Sequence, residues 1–371
     1  RGAAALAALA PLPTAAAPTA APPFSLEASA PFAILADGVD PPVKRRPSMQ
    51  RIGVDEALDG MVDASVRAVF LGEHHNSAED HALQAAIIRA AAGRRQAAVG
   101  LEAVQRRFQP VLDAYVRGEL SDEGLEAQTE WRKRWFWPFE GYLPVFRTCR
   151  ELGIPLIALN VDSEDLGLVE AGGLPALDRA ALLRYIPDPQ GFGTSTKTTA
   201  FKAYADTIIR PSYDMHKQMG ILRTTITGQT LNEDMPYRNF LSGRLLWDTA
   251  MGSRSASWLE EAEPGSLLIG LVGGDHVKFG CGVPARCAQA LGSLSAVRAV
   301  MLNTRPIDTH QEDYGDSDVL TLQVPFDERG ADPSAVAEAV EEARAAKQSR
   351  GTAVLPLADL VWYNGGGPRI V

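Results

Sequence analysis

Residues 68–76 read Ala68-Val69-Phe70-Leu71-Gly72-Glu73-His74-His75-Asn76, a short apolar run that ends on a glycine, a carboxylate and two imidazoles. A continuous apolar run of this length fits a strand covered on both faces, the kind found in parallel sheets. The glycine lets the chain turn sharply into an amphipathic stretch at 79–92, expected to be a helix. The same arrangement recurs twice. Val99-Gly100-Leu101-Glu102 closes an apolar run at 97–101, and Leu271-Val272-Gly273-Gly274-Asp275-His276 closes another at 266–272. In an open α/β sheet, ligands bind in the crevice at the carboxyl ends of the strands, and these polar groups are delivered there. A carboxylate set directly after an apolar strand is costly unless it is paired, ligated or open to a cleft. Glu73 and Glu102 are therefore candidate acids, bases or hard ligands. His75 and His276 are candidate metal ligands or proton shuttles. Each Gly-x-x-His turn has a bland reading, a capped turn with a hydrogen-bonded imidazole, but three such strand ends together favour a site.

Further strands are expected at 154–160, 297–302, 319–324 and 360–363, and helices at 105–117, 143–152, 175–185, 201–219, 238–261, 284–291 and 333–347. Strands alternating with helices define an α/β layered fold with a largely parallel sheet. The long connection 162–264 reads as a helical insertion. Within it GFGTSTKTT, at 191–199, is glycine- and hydroxyl-rich and is expected to be a mobile loop; it lacks the spacing of a phosphate-binding loop. The acidic, His-containing stretch 308–318 reads as a solvated loop.

The chain has 371 residues, 46% of them hydrophobic, and a net charge of −10. It is long enough to bury a sizeable core without staples. Its acidity and the absence of long basic runs argue against nucleic acid as a partner. Cys149, Cys281 and Cys287 are too few and too irregularly spaced for a disulfide framework and read as buried thiols. No segment is long and apolar enough for a transmembrane helix. The first 24 residues hold 11 Ala and 5 Pro, and residues 1–46 are expected to be a disordered targeting or linker segment preceding a folded part at 47–371. That leader suggests a chloroplast address in a plant or alga and export to the periplasm in a bacterium.

The tract WRKRWFWPFEGY, from Trp131 to Tyr142, is dense in aromatics. It can wall a pocket for a flat apolar ligand, with Arg132, Lys133 or Arg134 on an anionic edge, or pin a loop to the core. Asp248, beside Trp247 in a helical stretch, disfavours the helix and is expected to reach a partner such as Arg244. No GxSxG elbow or HExxH pair is present, and Cys281, five residues after His276, is more simply a packing thiol than a nucleophile.

Taken in order, FLGEHHN at 70–76, GLE at 100–102, the aromatic tract with Trp135 and Tyr142, IPLIALN at 154–160, LLWDTAM at 245–251, GGDHVKFGCGVPAR at 273–286 and LADLVWY at 357–363 resemble the haem-binding uptake, ChaN-like family of the Tiki/TraB superfamily. The resemblance implies a three-layer α/β/α fold and a pocket for haem or iron, with Trp135, Tyr142, Arg244, Trp247 and His276 as candidate cofactor contacts. Tyr142, Tyr213 and His276 stand as alternative haem ligands. It also implies an alternative, a metal-dependent hydrolase in which Glu73, His75, Glu102 and His276 hold a divalent ion and Glu73 or Glu102 activates water. A homodimer is compatible with either reading. The sequence departs from the family pattern at Gly243-Arg244, where an Ala-Gln pair is usual, and this places a fixed positive charge near the pocket. It also departs at 191–199.

Overall fold

The apolar runs form ten strands in a computed structural model that describes residues 24–35, 48–304, 321–323 and 354–365. They are β1 (Ala30–Leu35), β2 (Ser48–Arg51), β3 (Ala68–Glu73), β4 (Ala97–Gln105), β5 (Leu156–Asn160), β6 (Leu267–Gly273), β7 (Val297–Leu302), β8 (Thr321–Gln323), β9 (Val354–Pro356) and β10 (Leu360–Tyr363). Eight of them make one sheet in the order β2-β1-β10-β7-β3-β6-β4-β5, while β8 and β9 pair separately. From β10 to β5 every pairing is parallel, and β1 and β2 add an antiparallel edge.

The two-residue period of the strands sends side chains alternately to the two faces. On one face Phe70, Leu268, Val272 and Met301 pack with Leu245 and Met251 of a 25-residue helix and with Cys287 of a shorter one. On the other, Val69, Leu71, Ile269, Leu271 and Val300 pack with Leu83 and Ile87 of one helix and Val145 and Phe146 of another. These four helices are α1 (Ala78–Ala92), α2 (Phe139–Leu152), α4 (Tyr237–Glu261) and α5 (Val283–Leu291), with α3 (Ser163–Gly172) in the insertion. The result is the three-layer α/β/α fold, each buried apolar side chain contributing about 1.5–3 kcal/mol. Phe70 lies flat across the neighbouring strand because Gly270 has no side chain; a Cβ there would fall 2.4 Å from its ring.

The insertion is helical, as its pattern predicts. Leu166 and Val169 of α3, with Val161, Tyr185 and Ile186, form a separate apolar cluster against Leu246 and Ala250 of α4. It covers the β5 side of the strand ends.

Three expectations change. Residues 191–199 do not form an open loop: Pro189–Ser195 is a helix whose first turn is capped by Asp188, which accepts from the Gly191 N–H at 2.9 Å, and Thr198 caps the next helix. The hydroxyls that suggested mobility serve as caps and as donors to nearby carbonyls. Ala30–Leu35 lies inside the segment expected to be a linker, yet it is a strand held between β10 and β2, and Trp362 Nε1 donates to Ser29 Oγ at 2.8 Å. The folded part therefore starts earlier than composition indicated, because the Ala/Pro bias masked a short apolar run. The helix expected at 105–117 starts late: β4 continues to Gln105, and the helix is Gln109–Val116 with a proline in its first turn. The helix expected at 333–347, the acidic stretch 308–318 and His310 lie outside the described residues. Among the described residues no helix is long and apolar enough to cross a membrane.

Candidate functional site

β3 ends on Glu73, and the turn that follows is fixed by Asp80, which accepts from the His74 N–H at 2.7 Å and from His74 Nδ1 at 2.9 Å. Ser77 caps α1 by accepting from the Asp80 N–H at 3.1 Å. The turn aims His75 at the strand ends.

The Glu73 carboxylate is buried behind His75. Its Oε1 accepts from Tyr142 OH at 2.6 Å and from His75 Nδ1 at 2.8 Å, and lies 3.5 Å from His81 Nε2; its Oε2 accepts from Gln84 Nε2 at 2.6 Å. Because an ionised carboxylate only accepts, the His75 proton sits on Nδ1 and Nε2 faces forward. Burial alone would raise the pKa of Glu73, but the hydrogen bond from His75 and the proximity of His75 and His81 hold it well below the usual carboxylate range. The ring of His75 stands edge-on to Trp135 at 4.9 Å.

Glu102 lies where the pairing of β4 with β5 shifts register between Leu101 and Gln105, an irregularity of the kind that re-aims side chains. Its Oε2 accepts from the Gly273 N–H at 2.6 Å and lies 3.9 Å from His75 Nε2, while its Oε1 lies 3.3 Å from His276 Nε2. His276 sits in a single helical turn after β6, and its Nδ1 is hydrogen-bonded to Asp248 Oδ1 on α4. The outcome is a buried row of alternating carboxylates and imidazoles: Glu73, His75, Glu102, His276, Asp248.

Burial favours the uncharged forms of Glu102 and His276, yet their mutual attraction prevails. The charge of His276 and His75 lowers Glu102 to about 2. Burial and Arg244 both depress His276, but Glu102 and Asp248 outweigh them and push it up to about 9. His75 is raised as well: burial opposes its charge, and Glu102 and Glu73 support it. Near neutral pH this favours the imidazolium form of His276, hydrogen-bonded to Asp248 through Nδ1 and within ion-pair distance of Glu102 through Nε2.

In front of this row is a cavity of about 140 Å³ lined by His75, Glu102, Trp135, Arg244, Trp247 and His276. Phe136 and Trp137 stand at its rim, 77% and 36% exposed. Two buried donors in the wall, Arg244 Nε and Trp247 Nε1, have no hydrogen-bond partner among the described residues. A polar or anionic group in the cavity would satisfy them.

Six sequence-predicted residues, His75, Glu102, Trp135, Arg244, Trp247 and His276, thus share one cavity. The expected four-ligand metal set is divided, because Glu73 holds the back of His75 and does not face Glu102. Among the described residues no group of three or more His, Cys, Asp or Glu side chains is placed to hold a metal ion. Tyr142 is buried with its hydroxyl on Glu73 and does not line the cavity. Burial and Glu73 raise its pKa, so the phenolate a haem ligand would supply is disfavoured there. Tyr213 donates to the Met235 carbonyl at 3.0 Å and does not line the cavity either.

The aromatic tract is divided between the core and the cavity wall. Trp131, Phe139 and Tyr142 are core, whereas Trp135, Phe136 and Trp137 wall the pocket. Arg132, Lys133 and Arg134 are taken up by ion pairs with Glu126, Glu130 and Glu164. Asp248 reaches His276 instead of Arg244. Burial pushes the Cys281 thiol up to about 12, which removes it as a nucleophile. Sequence reasoning missed Gln84, the donor to Glu73, and Asn160, whose Nδ2 donates to the Glu102 carbonyl at 2.7 Å. Asn160 ends β5 as a polar residue after an apolar run, the same signal that exposed Glu73.

The fold and this strand-end site define a class. The chain belongs to the haem-binding uptake, Tiki superfamily, ChaN family, whose sequence profile matches residues 62–287. It is 24% identical over 244 residues to Protein RETICULATA-RELATED 5, chloroplastic, of Arabidopsis thaliana, a match that covers 61% of this chain and 30% of that protein. The chain therefore spans less than a third of the length of that relative. Among solved structures it is similar to one titled "Cofacial heme binding to ChaN of Campylobacter jejuni", with 15% identity, a TM-score of 0.49, and coverage of 90% of this chain and 96% of that one. It is also similar to the RRSP MARTX toxin effector domain of Vibrio vulnificus CMCP6, with 14% identity, a TM-score of 0.36, and coverage of 68% and 36%.

Proposed function

We propose that the chain binds haem at the strand-end pocket and serves in haem or iron handling, in a plastid as the name of its Arabidopsis relative suggests. The observation that carries this reading is the donor set. Two imidazoles flank one carboxylate in a cavity walled by Trp135 and Trp247, with the unsatisfied Arg244 Nε beside them. His75 through Nε2, or His276 once it gives up its proton and its contact with Glu102 opens, would supply a nitrogen to the iron, Arg244 would pair with a propionate carboxylate, and the indoles would meet the macrocycle. The bound group would bring an iron centre able to change oxidation state; the chain's part is to orient it and limit water. A cavity of about 140 Å³ is small beside the roughly 300–1,000 Å³ of ordinary small-molecule sites, so it would hold only part of the group. The exposed rings of Phe136 and Trp137 supply the rest of the platform.

Titration with haemin tests this. The expected result is a saturable Soret band that is weakened in both His276→Ala and His75→Ala. A spectrum equal to the sum of free haemin and protein overturns it.

A second reading, hydrolysis, is favoured by the relay itself. His75 and His276, held by Glu73 and Asp248 on either side of Glu102, would be the proton donors, and the Glu102 carboxylate would orient a water. In its metal-dependent form His75, His276 and Glu102 would hold the ion after the His276–Glu102 contact opens. Metal analysis of the purified protein together with Glu73→Gln separates the two readings: metal-free protein whose properties are unchanged by the substitution rules out the metal-dependent one.

A further inference from the structure

A second and larger cavity, about 910 Å³, lies between α5, the helix Pro189–Ser195 and the residues Phe279 to Cys281. Its walls include the side chains of Phe201, Phe279, Ala285 and Ala288, and Leu294 stands 83% exposed at its rim.

One cation stands in this largely apolar wall. Arg286 is only 5% exposed, lies over the rings of Phe192 and Phe201 at 5.7 and 5.2 Å, and donates from Nη1 to Ser195 Oγ. Its Nε is buried with no hydrogen-bond partner, and among the described residues no carboxylate comes within ion-pair distance of it. Asp248 exerts its charge on Arg286 as it does on Arg244, but neither guanidinium is paired with it, whereas Arg132 and Arg134 of the aromatic tract are ion-paired. A guanidinium taken out of water without a directly paired counter-charge is expensive. The planar fork also fits a carboxylate or phosphate better than any other group. The neighbouring Asp188 caps the helix at the Gly191 N–H and forms no ion pair with Arg286.

We propose that this cavity is a second ligand site, separate from the strand-end pocket, for an amphiphilic organic anion whose head group pairs with Arg286 and whose apolar body lies along Phe201 and Phe279. The hydroxyl of Ser195 shares the head group. The segment 191–199, which departs from the family pattern, forms one wall of the site. That placement gives the GFGTSTKTT stretch a purpose that the strand-end site does not.

Calorimetric titration of the full chain with sodium dodecanoate tests the proposal. Saturable binding at one site is expected, weakened about tenfold or more when dodecan-1-ol replaces the anion, the loss appropriate to one charged hydrogen-bonding group. Arg286→Gln is expected to lose a similar factor. Because Arg286 also braces two aromatic rings, Ala285→Phe provides a second variant: it leaves the guanidinium in place and fills the cavity from a partly exposed position on α5. It is expected to abolish binding with an unchanged melting temperature. No uptake of dodecanoate by the wild-type chain overturns the proposal, as do undiminished binding by Ala285→Phe and equal affinity for the neutral alcohol. Binding lost in Trp247→Ala but kept in Ala285→Phe would place the anion in the strand-end pocket and also overturn it.

Discussion

A Cβ placed on Gly273 would fall 2.7 Å from Nε2 of His75, so the imidazole occupies space that exists only because β6 ends on a glycine. The backbone of Gly273 has a φ of −58°, which any residue adopts, so the requirement is for room and not for conformation. Gly273→Ala is expected to push His75 out of line with Glu102 and to cost about 1–3 kcal/mol, as overpacking does. Denaturant unfolding with and without haemin checks this: stability should fall and the Soret band should weaken together. A variant with unchanged haemin binding contradicts the arrangement.

The Asp248–His276 pair makes stability depend on pH in a definite direction. His276 has an ordinary value of 6.5 and about 9 in the fold, so its contribution is complete below 6.5 and is lost as pH rises through 9. The difference corresponds to at most roughly 3 kcal/mol, shared with Glu102. Asp248→Asn should therefore be less stable than the wild type at pH 7, with the gap narrowing by pH 10. Unfolding midpoints at the two pH values decide it, and a gap independent of pH would show that Asp248 acts by packing alone.

Tyr142 gives a contrast between support and ligation. Tyr142→Phe removes one donor to a buried carboxylate and is expected to cost about 1–3 kcal/mol in unfolding experiments. The haemin spectrum of the variant should match that of the wild type, since the phenol does not face the cavity. Loss of a phenolate charge-transfer band would instead make Tyr142 an axial ligand.

The rim should behave in the opposite way. Phe136→Ala combined with Trp137→Ala removes two exposed rings, so the melting temperature should be unchanged while haemin affinity falls about tenfold, at roughly 0.5–1.5 kcal/mol per aromatic contact. Equal affinity would place the macrocycle elsewhere.

The parallel strands are legible in the sequence because burial on both faces leaves unbroken apolar runs, and the site is legible because polar groups stop those runs at 73, 102 and 276. The direction in which each group faces is not. Glu73 and Glu102 stand in the same sequence context, yet one lies behind an imidazole and the other between two. The difference comes from the turn fixed by Asp80, six residues beyond His74, and from the register shift in β4, which only its pairing with β5 creates. Asp248 finds His276 across 28 positions by the packing of α4 on β6, which no local pattern records. At 191–199 the composition is polar and small, the mark of a loop, but side-chain capping turns these residues into helix. β1 was hidden because its partner, β10, lies more than 320 residues further along the chain.

That last pairing has a consequence for biosynthesis. β10 stands between β7 and β1, so the antiparallel edge cannot be completed until Leu360–Tyr363 has left the ribosome or a translocation pore. The strands that carry Glu73, Glu102 and His276 are all available earlier and are neighbours in the sheet. A nascent chain can therefore assemble its strand-end site while β1 and β2 are still waiting for their template. Because closing contacts across so many residues is slow, that interval leaves the β7 border as an open edge to which chaperones can bind.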